Sequence, residues 1–227
     1  MPLPPSTLPK WKVNERRAQR NGTLGQITFP NGDTYKGEWR DDQMHGKGCY
    51  TSREHGFVYE GDFMDGRQEG YGVYSIFMSN GKLRKQYLGN WEAGLQHGQG
   101  SFFFNDEGTE KYEGEWREGN REGWGRMYYE DGSIYEGEWL DDMRHGLGLL
   151  LLKDGNRYEG QWAEDLKEGE GSYFYVTKRR CFKGTWHKGN TKCGEYFELD
   201  SAAGQRFPIP ELKLANPNAV LDAASRP

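Results

Sequence analysis

The chain has 227 residues, of which 33 are glycine and 15% are aromatic, while Leu, Ile, Val and Phe together number 37. So few aliphatics would suggest disorder, but disordered chains are poor in aromatics, so what is excluded is a two-layer globule with a thick aliphatic core. The net charge of −5 hides +4 in residues 1–22, +1 in 201–227, and 22 basic against 32 acidic side chains between them, which argues against nucleic acid and disfavours anionic lipid.

Residues 1–22 form a basic, proline-containing N-terminal tail. Met1 to Lys10 has no apolar h-region, so no secretory signal is expected. Trp11 is either a tethered anchor for docking or a cover for the first sheet edge, and the hazard of an exposed β-edge favours the cover. Gln26 to Phe29 reads as a half-repeat, and residues 23–200 hold the repeats proper.

An aromatic-x-Gly-x-aromatic pentad recurs seven times, opening at Tyr35, Tyr59, Tyr87, Tyr112, Tyr135, Tyr158 and Phe182. It closes at Trp39, Phe63, Trp91, Trp116, Trp139, Trp162 and Trp186. Eleven residues after each opening Tyr stands the first Gly of a Gly-x-Gly: Gly46, Gly70, Gly98, Gly123, Gly146 and Gly169. The seventh unit departs, with Gly194 twelve residues after Phe182 and Tyr196 in the place read as the second glycine's. Fixed spacing within a unit and variable spacing between units mark a supersecondary repeat.

Each unit reads as a β-hairpin. In Tyr112-Glu-Gly-Glu-Trp116, alternation puts Tyr112, Gly114 and Trp116 on one strand face and Glu113 and Glu115 on the other. Gly146 and Gly148 likewise read as sharing one face of the second strand. Asp41-Asp42, Asp65-Gly66, Glu118-Gly119 and Asp141-Asp142 suit left-handed turn positions between the two strands. Between units, Asn31-Gly32, Asp131-Gly132 and Asp154-Gly155 signal two-residue hairpin loops. The predicted architecture is all-β: an elongated, single-layer antiparallel meander of about fifteen strands and about 70 Å. Glycines beside ring positions predict slots for Tyr and Trp rings, so that ring-on-backbone and ring-on-ring packing replaces the aliphatic core.

Residues 201–227 form the C-terminal tail. Pro208 and Pro210 stop the sheet, Phe207 and Ile209 are candidate docking residues, and Asn216-Pro217 would open a short helix carrying Val220 and Leu221.

Tyr-Glu-Gly-Glu-Trp followed by a turn and His-Gly-x-Gly resembles the MORN (membrane occupation and recognition nexus) repeat, with six good copies and one degenerate copy over residues 23–200. The flanks Trp11-Lys12, Arg17 to Gly22 and Phe207 to Glu211 resemble those of one member of that family. The resemblance implies a non-catalytic scaffold of ciliated or sperm cells, associated with the axoneme and located in cytoplasm and cytoskeleton. Its implied partners are axonemal or other cytoskeletal proteins.

The chemistry-bearing residues point the same way. The pentad glutamates Glu38, Glu113, Glu115, Glu136 and Glu138 recur in equivalent environments, whereas a glycosidase needs an acid and a base in unlike ones. His45, His97 and His145 lie about 20 Å apart by strand spacing, too far to converge on a metal, and read as strand-edge hydrogen-bonders. Cys49, Cys181 and Cys193 show no CxxC spacing, which fits a reducing compartment. No catalytic residues, cofactor or metal are therefore expected.

A single-layer sheet leaves an aromatic face for a partner's helix or peptide, and Tyr112, Trp116, Tyr135, Trp139, Tyr158 and Trp162 form its most regular stretch. Either these rings meet the partner or they pack only against their own sheet and tails. Two further readings are a peripheral membrane adaptor binding anionic phospholipid through basic segments such as residues 1–22, and self-association of the repeats.

Overall fold

The computed structural model describes Lys12 and residues 19–199, and period-two alternation broken by left-handed turn residues produces strands from Gly22 to Glu198. Trp11, Phe207, Ile209 and the helix expected from Asn216 lie outside the described residues. The first strands are β1 (Gly22–Thr28), β2 (Thr34–Arg40), β3 (Gln43–Ser52), β4 (Phe57–Met64) and β5 (Arg67–Phe77). Next come β6 (Leu83–Glu92), β7 (Leu95–Phe103), β8 (Lys111–Arg117), β9 (Asn120–Tyr128) and β10 (Ile134–Leu140). The last five are β11 (Met143–Leu151), β12 (Arg157–Ala163), β13 (Leu166–Tyr175), β14 (Arg180–His187) and β15 (Asn190–Glu198). They make one open sheet of 15 strands, each beside its sequence neighbour, which is the expected meander. By packing, the chain divides into a unit running to Arg84 with Trp91–Gly94 and a unit of Lys85–Asn90 with Leu95 onward.

Glycine sets the register inside each unit. In the first, Gly37, Gly48, Gly61 and Gly72 pair in succession across β2 to β5. In the second, Gly100, Gly114, Gly125, Gly137 and Gly148 form a row of the same kind, one per strand. Gly160, Gly171, Gly184 and Gly194 complete it. The row exists because the opening Tyr of each regular repeat lies across it. A Cβ on Gly137 would stand 2.5 Å from Gly148 Cα and 2.6 Å from Tyr135 Oη, closer than real Cβ atoms come.

The two glycines of Gly-x-Gly have different jobs, and the reading that places them on one face is corrected: a Cβ on Gly146 would meet Glu138, whereas one on Gly148 would meet Tyr135. The second pairs across the row. The first sits in a β-bulge: after Gly137↔Gly148 the next pair is Glu138↔His145, leaving Gly146 and Leu147 unpaired. Gly146 there has φ 56°, a left-handed backbone that glycine adopts without strain. In the seventh repeat Gly194 pairs with Gly184, so it is the counterpart of the second glycine and the bulge is one residue shorter. Tyr196 pairs with Phe182, as Tyr50 pairs with Tyr35 in the first repeat.

The loops differ from expectation in the same detailed way. The two-residue turns lie within repeats: Asp41 and Asp42, for example, have φ of 47° and 66°. At the Asn-Gly and Asp-Gly dipeptides between repeats the loop is one residue longer. Phe29 N–H donates to Asp33 O (2.8 Å) while Gly32 N–H donates to Phe29 O (2.9 Å), and the loops at Tyr129–Ser133 and Leu152–Asn156 repeat the pattern. Only the glycine of each dipeptide is left-handed, which suits a type I turn closed by a bulge.

Replacing Gly137 with Ala should therefore cost about 2–3 kcal/mol through overpacking. Gly25→Ala, at a site with nothing within 4 Å of the added Cβ, should be close to neutral. Urea unfolding followed by circular dichroism compares the two, and equal midpoints would refute the ring-slot account.

Candidate partner-binding face

The aromatic face is occupied by the protein itself. Tyr112 meets Trp116 edge-on at 5.3 Å between ring centroids and meets Trp139 of the next repeat at 5.3 Å. Tyr135 does the same with Trp139 (5.2 Å) and Trp162 (5.3 Å), and Tyr158 with Trp162 and Trp186 (both 5.2 Å). The result is a zipper in which each Tyr edge or face is taken by a Trp, the geometry that aromatic quadrupoles favour. Each Tyr hydroxyl donates to the backbone carbonyl three residues on, Tyr135 to Glu138 O at 2.9 Å and Tyr112 to Glu115 O at 2.9 Å. The indole Nε1 of Trp139 and of Trp162 points at Gly125 O and Gly148 O, at 3.3 Å each. Burial pushes the Tyr35 phenol up to about 12, and it raises Tyr112, Tyr135 and Tyr158 as well.

The six rings singled out in the sequence are thus brought together, but as core. Tyr112, Tyr135 and Tyr158 are 0% exposed, and Trp116, Trp139 and Trp162 are 4–7% exposed. The expectation of an incompletely covered aromatic face is corrected, and the reason is the glycine row: absent side chains let each ring fold down onto its own strands.

A cation seals the turn side of this core. Arg121 and Arg144 stack over Trp139 and Trp162 at 4.3 and 4.4 Å, and their Nε atoms donate to Asp142 and Asp165 (2.9 and 3.0 Å). Arg20 treats Trp39 and Asp42 alike, at 4.0 and 2.9 Å. At the last junction Lys167 Nζ sits 4.8–4.9 Å from Tyr158, Tyr173 and Trp186, and burial lowers its pKa. Sequence reasoning missed this Arg–Asp–Trp set, although its signal was present. Arg20/Asp42, Arg121/Asp142 and Arg144/Asp165 recur at spacings of 22, 21 and 21 residues.

The opposite face carries the glutamates, and the structure gives most of them structural work. Glu138 Oε1 accepts the bulge N–H of Leu147 (2.9 Å), and Glu38, Asp62 and Gln161 hold the bulges of Lys47, Tyr71 and Glu170 in the same way. Glu113, Glu136 and Glu159 pair with Lys111 (2.6 Å), Arg126 (2.8 Å) and Arg157 (2.6 Å). Among the described residues no group of three or more His, Cys, Asp or Glu is arranged to hold a metal ion. Two depressions open on this face in the second unit. One, about 460 Å³, is bordered by Leu147, Gln161, Glu170, Ser172, Lys183 and Thr185. The other, about 290 Å³, shares Leu147 and Gln161 and adds Glu138, His145, Ala163 and Glu168.

A family model described as the MORN repeat matches residues 35–56, 59–76, 87–109, 112–134, 135–157 and 158–178, more than half of the chain. The chain belongs to the MORN-repeat family. It is 45% identical to MORN repeat-containing protein 3 of Xenopus laevis over all of this chain and 98% of that protein. Shorter stretches are similar to the proteins of that name from Homo sapiens (49% over 51 residues, 20% of this chain and 21% of that one) and Bos taurus (47% over 45 residues, 20% and 19%). The matched MORN repeats end before β14 and β15, where the bulge is shorter and Phe182 replaces Tyr, yet that hairpin keeps the glycine pairing of the others.

Two measurements follow. Trp139→Ala should cost about 3–5 kcal/mol of stability, as loss of a buried ring does, and an unchanged urea midpoint would contradict its place in the core. Acid should also loosen the array. The Tyr50 hydroxyl holds Asp33 low, the Arg20 N–H and guanidinium hold Asp42 low, and the Lys188 N–H and His187 hold Glu168 low. Carboxylates lowered in the folded state stabilise it above their ordinary values, and that contribution is lost as pH falls through the folded values. The melting temperature should hold above about pH 5 and drop below about pH 4, with the drop smaller in Glu168→Gln. A pH-independent melting curve would contradict this.

Proposed function

We propose that this chain is a non-catalytic MORN-repeat scaffold that binds partner proteins on its glutamate face and serves as a structural or assembly component of the ciliary or sperm flagellar axoneme. The observation that carries the binding face is the consumption of the aromatic rings by the Tyr–Trp zipper, while two depressions open on the glutamate face. The non-catalytic reading is supported by the capture of the pentad carboxylates in bulge hydrogen bonds and ion pairs. The axonemal reading rests on the resemblance of the repeats and flanks noted above.

A proximity-labelling enzyme fused to the chain in ciliated cells tests both parts. Labelling concentrated on axonemal proteins is the expected result, and labelling confined to soluble or membrane proteins would sink the axonemal assignment. Photo-crosslinking side chains at glutamate-face positions 47, 99 and 147 should capture protein, whereas a chain that captures none at any of them is not a scaffold of this kind.

A further inference from the structure

The repeats serve as one another's controls. The two residues flanking each within-repeat turn and the middle residue of Gly-x-Gly occupy the same place in every regular hairpin, on the glutamate face. In the first repeat they are Arg40, Gln43 and Lys47, and in the fourth Arg117, Asn120 and Trp124. In the fifth they are Leu140, Met143 and Leu147, all apolar, although the same backbone accepts Arg, Gln and Lys elsewhere. The fold therefore does not require apolar side chains here. Nor does it bury them: Leu140, Met143 and Leu147 are 42%, 38% and 43% exposed, and Leu166 on the next turn is 45% exposed. Leu147 borders both depressions, so one of these exposed apolar side chains also lines the hollows.

Resting on the scaffold reading above, we propose that the glutamate face of the fifth and sixth repeats, centred on Leu147, is a docking site for an amphipathic helix of a partner protein, with aliphatic anchors flanked by Lys or Arg. The charge of the partner follows from the rim, where Glu138, Glu168 and Glu170 stand against the single Lys183. Its secondary structure follows from the floor. β10 to β13 are paired along both edges, so an incoming extended strand would find no backbone donors or acceptors, whereas a helix satisfies its own. Its anchors follow from the exposed Leu140, Met143, Leu147 and Leu166 side chains, which aliphatic side chains would cover.

The probes are two fluorescein-labelled model helices with Leu at i, i+3, i+4 and i+7, one with Lys and one with Glu on the remaining positions. Fluorescence anisotropy with the full-length protein should show at least tenfold tighter binding of the Lys helix. The double variant Met143→Gln, Leu147→Gln should lose at least tenfold for that helix, while Leu95→Gln, an exposed leucine of the third repeat, should leave it unchanged. Gln already stands at these places in other repeats, as Gln43 and Gln99, so the variant should fold, and near-ultraviolet circular dichroism of the ring zipper checks that it does. Equal affinity for the two helices, or equal affinity of the double variant and the unaltered chain, overturns the proposal. The crosslinking result separates it from the broader reading: capture at position 47 or 99 but not 147 refutes this site and leaves the scaffold intact, and capture at none refutes both.

Discussion

The tyrosine ring lying across a pair of glycines is the contact from which the rest of the structure follows. It demands that neither glycine carry a Cβ, and in the second unit the demand is passed from Gly100 through every strand to Gly194. A row without side chains would weaken an ordinary sheet. Here the ring supplies what the glycines lack, and its hydroxyl binds a carbonyl freed by the bulge. The sheet thereby gains a core on one face without a second layer. That is why so few aliphatics suffice, and why aromatic and glycine residues occur in comparable number.

The bulge ties this core to the opposite face. In the fifth repeat two residues, Gly146 and Leu147, are skipped in the pairing with β10, and the Leu147 N–H takes a side-chain acceptor. Glu138 and its counterparts provide it, reaching into the space where a Cβ on Gly146 would have stood. The recurrence of carboxylates at the fourth pentad position is thus a consequence of backbone geometry. Where the position is Gln161 the same bond forms without charge, so the oxygen rather than the ionisation is required.

What was legible in the sequence was whatever repeats with a fixed offset. The pentad, the Gly-x-Gly and the left-handed turn pairs each recur at constant spacing, and from them the strands, the meander and the ring slots follow. What was not legible depended on counts of one. A bulge adds one residue to a strand, so the two glycines of Gly146-Leu-Gly148, two apart in sequence, do not share a role. The same single residue misplaced Gly194 and made the inter-repeat loops look shorter than they are. The aromatic face was misread for a different reason: alternation says which side of a strand a ring is on, but not whether it stands up from the sheet or folds down onto it. Only the absence of the glycine Cβ atoms decides that, and it decides for burial of Tyr135 and Trp139.

Repeats that share one backbone need something to keep them in order, because a hairpin could in principle stack on any other. The turn side supplies it. The backbone N–H of the second turn residue always donates to the preceding repeat, as Gly66 to Met44 O and Asp142 to Arg121 O, so the backbone contact is indifferent to sequence. The side chains are not indifferent. Where that residue is Asp42, Asp142 or Asp165, the preceding repeat offers Arg20, Arg121 or Arg144, and where it is Gly66, Gly94, Gly119 or Gly189 it offers Met44, Gln68, Gln96 or Lys167. An Arg facing a glycine would lose its carboxylate, and an Asp facing Met44 would keep the backbone N–H but lose the guanidinium, so a misordered stack is penalised at each junction it scrambles. The conserved part of the repeat thus builds the sheet and the paired departures order it. Departures with no such partner among the described residues, such as Leu140, Met143 and Leu147, stand exposed on the glutamate face instead.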